Sequence, residues 1–468
     1  MVRRAVLTAL AAAAIAAPTA GAAPPIRGQA LMPGVVYSRQ VDFTAHGPVV
    51  LNVVSAPRPQ GLYSLHVALS NGAVQGRERL TDMEKAVSAQ TTVAGVSGDY
   101  FDSRWGTPSS IVVRGGVLAA GTLGGRSAAG FDTGGTLHVD RVAVDGSWQG
   151  TGQYRPLTLN APPSRSPVTL YTPSWGPTTP PESNTTEVVL APFPATTPNA
   201  TLTAPVTQVL AGGGQAIPPN GAVIVARGRQ APILSKEAPA GTRVNVRLIV
   251  TPRWDSIREA IGGGPLLVRN GRPVFRPNET FSASQLFTRT ARSAVGQTAD
   301  GRILFVTADG GRPGYSLGIT DFELALAMAR LGAVSATGLG TGAPSSLAFD
   351  GKLLSRPSSR AGEQPVSDAL FLQYDGVFAP APAATVATGK TQTLTYKIVR
   401  RSTVKATLDG PGGSTTIDAG THDAGTYRFD WTATGVGRWT FSVDAVDDLG
   451  RTSSSDRSFT VGSASKRR

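Results

Sequence analysis

Several residue types that carry chemistry in other proteins are scarce or absent in this sequence. There is no cysteine in 468 residues, so disulfide bonds, thiolate nucleophiles and thiolate metal centres are excluded. Four histidines stand apart from one another without the spacing of a zinc site: His46, His66, His138 and His422. No Walker loop and no Gly-x-Ser-x-Gly elbow is present. We therefore predict that the protein uses neither a metal nor another cofactor.

Long apolar runs are also absent, apart from one short stretch at the start of the chain. Two arginines after Met1 precede an alanine-rich segment that extends to Ala17, and the small-residue triplet Ala20-Gly-Ala22 follows. This order is typical of a secretory signal peptide. The run is shorter than the roughly 20 apolar residues that span a bilayer. We predict that residues 1–22 are removed, that the mature chain has no transmembrane segment, and that it is secreted or extracytoplasmic and associated with the cell envelope.

Acidic residues are outnumbered by basic ones. The chain has 31 Asp and Glu residues against 44 Lys and Arg residues, a formal net charge of +13. Such a charge either attracts anionic envelope glycans and lipid headgroups or serves solubility alone. The basic residues are scattered and are not interleaved with aromatic residues on one element, which argues against nucleic acid. The charge thus allows electrostatic association with the cell surface and predicts no nucleic-acid partner.

Helical patterns are rare, and short alternating runs between proline, glycine and asparagine dominate. Two capping boxes predict the helices, one at Thr81 with Glu84 and one at Thr320 with Glu323, the second opening an amphipathic helix that ends at Gly332. Four β-rich runs between the helices predict a sheet insertion: 157–160, 168–176, 187–190 and 222–228. We predict an α+β fold, strand-rich and with two short helices, for this part of the chain.

The composition changes after residue 377, where proline and alanine alternate. Beyond this point, strands alternate over about eighty residues, and runs such as Gly425-Thr-Tyr-Arg-Phe429 and Trp439-Thr-Phe-Ser-Val443 resemble the immunoglobulin-like modules of secreted bacterial proteins. The predicted segments after the signal peptide are N-terminal strands with a first helix (23–92), the main domain (93–377), a Pro/Ala linker (378–388), an immunoglobulin-like all-β sandwich (389–463) and a basic tail (464–468).

Five motifs occur in an order that resembles the phosphodiester glycosidase family. Four of them are Ser97-Gly-Asp-Tyr-Phe-Asp102, Ile261-Gly-Gly-Gly-Pro-Leu-Leu-Val268, Arg292-Ser-Ala-Val-Gly296 and Asp309-Gly-Gly-Arg312. The fifth, Ser335 to Phe349, lies where this family has an acidic, glycine-rich active-site loop. With the run Tyr171-Thr-Pro-Ser-Trp-Gly176, the resemblance extends over residues 93–372 and implies hydrolysis of a sugar-1-phosphodiester or a related envelope glycan.

The resemblance assigns roles to six residues. Arg292 and Arg312 would hold the phosphate, because arginine forks match its oxygens. Asp99 or Asp309 would supply the catalytic carboxylate. Ser345 and Ser346 would hydrogen-bond the substrate. Other roles remain open, because a buried arginine can form a structural ion pair and an Asp-Gly pair can serve only a turn.

The family's loop acid is missing from this chain, since Gly340 stands in its place. Loss of a catalytic carboxylate lowers the rate by orders of magnitude. We therefore carry two hypotheses, an exported phosphodiester glycosidase with altered activity and a non-catalytic binding protein for anionic envelope glycans. If the loop acid were the only essential difference, Gly340→Asp would raise the rate.

Overall fold

A computed structural model describes residues 28–121, 124–274 and 279–463, so the predicted signal peptide and the basic tail 464–468 lie outside the described residues. The chain is 51% strand and 9% helix. The predicted α+β class is therefore wrong, and the protein is mostly β. Two capped helices are conspicuous in the sequence, whereas strands as short as β6 (Val112–Arg114, three residues) and β18 (Leu266–Arg269, four residues) show no clear alternation.

The strands of the first half of the chain are short and closely spaced. They are β1 (Gln29–Met32), β2 (Val35–Thr44), β3 (Gly47–Ala56), β4 (Tyr63–Leu69), β5 (Thr92–Ser97), β6 (Val112–Arg114), β7 (Val117–Ala120), β8 (Ser127–Asp132), β9 (Leu137–Arg141), β10 (Ala143–Gln149), β11 (Arg155–Leu159), β12 (Val168–Tyr171), β13 (Thr185–Leu190), β14 (Thr201–Ala211), β15 (Ala222–Arg227) and β16 (Arg243–Thr251).

The second half continues in the same way. Its strands are β17 (Ile257–Gly262), β18 (Leu266–Arg269), β19 (Arg272–Pro273), β20 (Arg292–Thr298), β21 (Ile303–Ala308), β22 (Ala333–Thr341), β23 (Leu347–Phe349), β24 (Lys352–Leu353), β25 (Asp368–Tyr374), β26 (Thr385–Ala387), β27 (Thr391–Ile398), β28 (Ser402–Gly410), β29 (Gly413–His422), β30 (Gly425–Thr432), β31 (Gly437–Asp447) and β32 (Thr452–Gly462). The α-helices among the described residues are α1 (Leu80–Val87), α2 (Ala231–Glu237), α3 (Ala283–Phe287) and α4 (Asp321–Arg330).

Two sheets carry the motif strands. One has eight strands in the order β1-β2-β3-β21-β20-β22-β18-β19, and the other has five in the order β24-β23-β5-β25-β4. A continuous apolar core between them includes Val54, Phe305, Val96 and Leu370. Strands β20, β21 and β5 are buried at every position, as expected for strands covered on both faces.

The predicted sheet insertion is a closed barrel. Seven strands close it in the order β10-β11-β12-β15-β13-β14-β16. Closure leaves no free strand edge, and a separate core that includes Trp148, Leu170 and Ile224 fills the interior. A further five-stranded sheet, β7-β6-β17-β8-β9, lies between the barrel strands and the motif strands in sequence.

The C-terminal strands form a five-stranded sheet, β26-β32-β31-β28-β29, and a two-stranded sheet, β27-β30, which share an apolar core. The immunoglobulin-like assignment of residues 389–463 stays a prediction. In the predicted linker, Phe378 and Ala379 are buried. Arg457 of β32 donates to the carbonyl oxygens of Ala30, at 3.2 Å, and Leu31, at 2.6 Å, both in edge strand β1. The last strand of the chain therefore binds the first.

The two capping-box predictions have different outcomes. The Thr320 side chain caps α4, with Glu323 completing the box, as predicted. By contrast, α1 begins at Leu80, and the Thr81 side chain donates to Glu363 at 2.6 Å instead of capping the helix. No helix among the described residues is long and apolar enough to cross a membrane.

Candidate active site

The sheet pairing brings the motif segments to one edge of the stacked sheets. Arg292 at the start of β20 is paired with Ala308 at the end of β21 and with Thr341 at the end of β22. Ser97 at the end of β5 is paired with Ala369 at the start of β25. The backbone N–H of Gly340 donates to the Gly98 carbonyl oxygen at 2.6 Å, which joins the two sheets at this edge.

Asp99 and Asp368 form a buried carboxylate pair at this edge. The backbone N–H of Asp99 donates to Oδ1 of Asp368 at 2.8 Å, and the Ser367 hydroxyl donates to the same oxygen at 3.1 Å. Oδ1 of Asp99 accepts the backbone N–H of Tyr100 at 2.7 Å. The exposed fractions are 3% for Asp99 and 0% for Asp368. Oδ2 of Asp368 has no hydrogen-bond partner among the described residues.

Burial raises the pKa of both carboxyls. For Asp368, the negative charge of Asp99 adds to the effect of burial. For Asp99, the positive charge of Arg126 and hydrogen bonds from Tyr100 and Ser110 offset part of it. Two like charges at close range in a dry site favour retention of one proton by the pair. The pair therefore provides a protonated and an ionised carboxyl within the same cluster near neutral pH.

Two glycines make room for these carboxyls. A Cβ atom on Gly98 would lie 2.4 Å from Oδ1 of Asp368. A Cβ atom on Gly262 would lie 2.6 Å from Oδ2 of Asp99 and 2.2 Å from Cβ of Ser110. These distances are shorter than real Cβ contacts. Gly98 of the first motif and Gly262 of the second are therefore required to leave space for the carboxylate pair.

Arg126 is the basic residue at this site that is best placed to bind an anionic substrate. Its Cζ atom lies 4.7 Å from the ring centre of Tyr100 and 4.3 Å from that of Phe281. Its Nε atom donates to the Thr280 carbonyl oxygen at 2.9 Å. The side chain is half-buried, and its charge lowers the pKa of Asp99. Cation–π contacts with both rings hold the guanidinium where its charge acts on Asp99.

Arg292, which the resemblance assigns to phosphate, is fully buried. Its guanidinium donates to Oδ2 of Asp321 at 2.8 Å and to the Ile319 carbonyl oxygen at 2.7 Å. Two further carbonyl oxygens, of Gln285 and Thr288, accept at 2.7 and 2.9 Å. These bonds fasten the start of α4 and the end of α3 to β20. A phosphate contact would require breaking these bonds, so the structure favours a structural role for Arg292 over phosphate binding.

Asp309 lies apart from the carboxylate pair, and no hydrogen bond joins them among the described residues. Its Oδ1 atom accepts Asn52 Nδ2 at 2.9 Å and the Arg356 backbone N–H at 3.0 Å, and its Oδ2 atom accepts the Tyr315 hydroxyl at 2.7 Å. Burial raises its pKa, and these three bonds oppose the shift. With both oxygens bonded, Asp309 positions its neighbours, and its predicted catalytic role is weaker than that of Asp99.

The remaining predicted ligands hold backbone segments. Arg312 donates to the carbonyl oxygens of Pro357 at 2.8 Å and Ser359 at 3.3 Å. The Ser346 backbone N–H donates to the Ser97 hydroxyl at 2.9 Å, and the Ser345 hydroxyl lies 3.5 Å from the Gly340 carbonyl oxygen. Both serines are buried. Their substrate contacts stay a prediction.

Gly340→Asp is expected to destabilise the fold and leave any turnover unimproved. A Cβ atom at Gly340 would lie 2.9 Å from the Gly98 carbonyl oxygen and 3.3 Å from that of Asp99. A carboxylate there would face backbone oxygens and the negative charge of Asp99. We expect a loss of about 1–3 kcal/mol in the free energy of unfolding, measured by urea denaturation.

Gly412→Asp is the matched control for this substitution. Nothing lies within 4 Å of a Cβ atom at Gly412, so the change should stay within about 0.5 kcal/mol of the parent. A Gly340→Asp protein with parental stability and a higher rate would restore the loop-acid hypothesis and contradict this reading of the site.

The structure adds two residues that sequence reasoning missed, Asp368 and Arg126. For Asp368 the sequence offered a weak indication, because this residue begins a strand near the end of the segment that resembles the family. Arg126 had none, since it follows a pair of glycines outside every motif. No group of three or more His, Asp or Glu side chains suited to a metal occurs in the described part of the chain.

Comparison with known proteins finds one matching family model. Residues 198–373 match the family model described as phosphodiester glycosidase. The predicted resemblance is thus confirmed, over this segment of the chain. Asp368, Asp309 and Arg312 lie within it, whereas Asp99 and Arg126 precede it. A search of curated proteins finds no match.

Solved structures share the fold. A hypothetical protein from Synechocystis is 26% identical with a TM-score of 0.62, over 75% of this chain and 64% of that one. A protein from Burkholderia pseudomallei K96243 is 24% identical with a TM-score of 0.56, over 69% of this chain and 74% of that one. The chain thus spans less than two thirds of the length of the Synechocystis protein.

The catalytic domain of zebrafish N-acetylglucosamine-1-phosphodiester alpha-N-acetylglucosaminidase, auto-inhibited by its pro-peptide, is a more distant match. It is 14% identical with a TM-score of 0.39, over 75% of this chain and 86% of that one. This likeness is too low to transfer any residue role.

Proposed function

We propose that the protein is a hydrolase of the phosphodiester glycosidase type, which cleaves a sugar-1-phosphodiester or a related envelope glycan. The observation that carries the proposal is the buried pair of Asp99 and Asp368, next to the stacked guanidinium of Arg126. Support also comes from the family match over residues 198–373.

The chemistry needs little from the protein at the leaving group. A phosphate monoester has a pKa of about 6, so it leaves the anomeric carbon without strong acid assistance. The ionised member of the Asp pair would face the positive charge that develops on the sugar, or would take a proton from water. The water oxygen then bonds the anomeric carbon, the bond from that carbon to the phosphate oxygen breaks, and the products are a free sugar and a phosphate monoester. Arg126 would hold the phosphate.

A binding protein for anionic envelope glycans is the second candidate. Two observations favour it, the glycine at position 340 and the low exposure of both carboxyls. Under this hypothesis Arg126 and nearby arginines would recognise the anion, and the buried pair would only stabilise the site.

Turnover on a panel of α- and β-linked sugar-1-phosphodiesters separates the two candidates. We expect the purified protein to release free sugar and phosphate monoester in equal amounts, measured by chromatography. Tight binding without release, measured by calorimetry, would replace the hydrolase by the binding protein. Neither release nor binding across the panel would refute both.

We further propose export and association with the cell envelope. The signal-like segment at residues 1–22 and the excess of basic residues support this location. Detection of the chain only in the cytoplasmic fraction of the source cells would refute it.

A further inference from the structure

Two arginines lie against the ring of Tyr315. The Cζ atom of Arg356 lies 4.6 Å from the ring centre and that of Arg39 lies 5.4 Å from it. Arg39 belongs to β2, and Arg356 follows β24, so two separate sheets contribute one guanidinium each. Both side chains are exposed.

The scaffold beneath the two arginines is built from buried polar groups. The Tyr315 hydroxyl and the Arg356 backbone N–H both donate to the Asp309 carboxylate. Asn52, which pairs with Arg39 across β2 and β3, donates to the same carboxylate. The Tyr37 hydroxyl donates to Asn52 Oδ1 at 2.9 Å. This network fixes the ring and the Arg356 segment relative to β2.

The charge of this surface is not neutralised by ion pairs. Among the described residues, neither Arg39 nor Arg356 forms an ion pair with a carboxylate, and Arg39 is instead hydrogen-bonded to the Tyr315 side chain. Asp309 is the buried acid below them, and three donors already bond it. Arg312 holds the 357–359 segment alongside and adds a further positive charge. The surface is therefore positive, with two guanidinium groups at the same ring.

We propose that Arg39 and Arg356, spaced by Tyr315, form a phosphate-binding surface. Guanidinium forks present paired N–H donors that match phosphate oxygens, and the cation–π contacts with the ring help to hold both side chains in place. Asp309 is a positioning residue here. The surface itself does not depend on turnover. Only its assignment to the phosphate of a substrate glycan rests on the proposed function.

Calorimetric titration of the full chain with inorganic phosphate, and in parallel with a sugar 1-phosphate, tests the surface. We expect Arg39→Ala and Arg356→Ala each to weaken binding about tenfold or more, since each removes charge-assisted hydrogen bonds. Arg229→Ala, an exposed arginine on a barrel loop, is the matched control and should bind like the parent. Binding should also weaken as salt rises.

A positioning role for Asp309 has its own readout. Asp309→Asn and Tyr315→Phe should weaken phosphate binding while the salt dependence keeps its parental slope, because the two guanidinium charges remain. Circular dichroism would verify that each variant is folded. If both arginine variants bind inorganic phosphate and sugar phosphate like the parent, or if the parent binds neither at millimolar concentration, the surface is not a phosphate site.

The titrations test the phosphate-binding surface independently of the proposed hydrolase activity. Tighter binding of the sugar ester than of inorganic phosphate identifies a glycan phosphate as the ligand, and equal binding identifies free phosphate; both support the surface. A parent that binds phosphate through Arg39 and Arg356 but hydrolyses no sugar phosphodiester would leave the surface standing and remove the hydrolase.

Discussion

Arg292→Ala should lower the free energy of unfolding by about 3–5 kcal/mol, because it leaves the buried Asp321 carboxylate without its partner. Three backbone carbonyl oxygens at the ends of α3 and before α4 also lose their donor. Urea denaturation of the parent, of Arg292→Ala and of the exposed-arginine control Arg243→Ala measures the effect. The control should stay within about 0.5 kcal/mol of the parent.

The effect of Arg292→Ala should grow with pH. Burial already raises the pKa of Asp321 to about 7 in the parent, so its contribution to stability is present in full at acidic pH and is lost as pH rises through that value. Without Arg292 the pKa rises further, so the variant should be nearest to the parent near pH 5 and furthest from it near pH 8. A parental stability at both pH values, with lost phosphate binding, would return Arg292 to the role of a ligand.

Asp99→Asn and Asp368→Asn should each reduce kcat on a sugar-1-phosphodiester by about 10²–10⁴-fold, the usual contribution of a positioned acid or base. Substrate binding, measured by calorimetry, should change little, because the proposed phosphate contacts come from arginines. The exposed Asp145→Asn is the matched control, and its kcat should equal that of the parent.

The pH profile of kcat/KM gives this prediction a second readout. Loss of either carboxyl removes the shared proton. The limb of the pH profile that reports the other carboxyl should therefore shift towards the ordinary pKa of a single carboxyl. Unchanged kcat in both variants would exclude the pair from the chemistry and leave Asp309 as the candidate carboxylate.

The sequence predicts the local features of the site better than their assembly. Ser97-Gly-Asp99 was recognised as a motif, and the glycine is explained by its contact with Asp368. Asp368 itself lies 269 residues from Asp99, and only the pairing of β25 with β5 brings them together. The identity of Arg292 did not reveal whether its guanidinium points to solvent or to the start of α4.

The fold was predictable to a similar degree. The sequence runs predict four of the seven barrel strands, β11, β12, β13 and β15, and miss β10, β14 and β16. Closure depends on pairings such as β10 with β16, about a hundred residues apart, which alternation does not encode. The Thr320 box succeeded because its helix is amphipathic and ends at a glycine. The Thr81 box failed because α1 begins one residue earlier, at Leu80, and a distant carboxylate, that of Glu363, accepts both the backbone N–H and the hydroxyl of Thr81.

The contact between Arg457 and β1 bears on how the chain folds. Arg457 and Ala30 are 427 residues apart, so the edge strand of the main sheet obtains this partner only after nearly the whole chain has been synthesised. Contacts of such sequence separation are slow to form and favour late steps in folding.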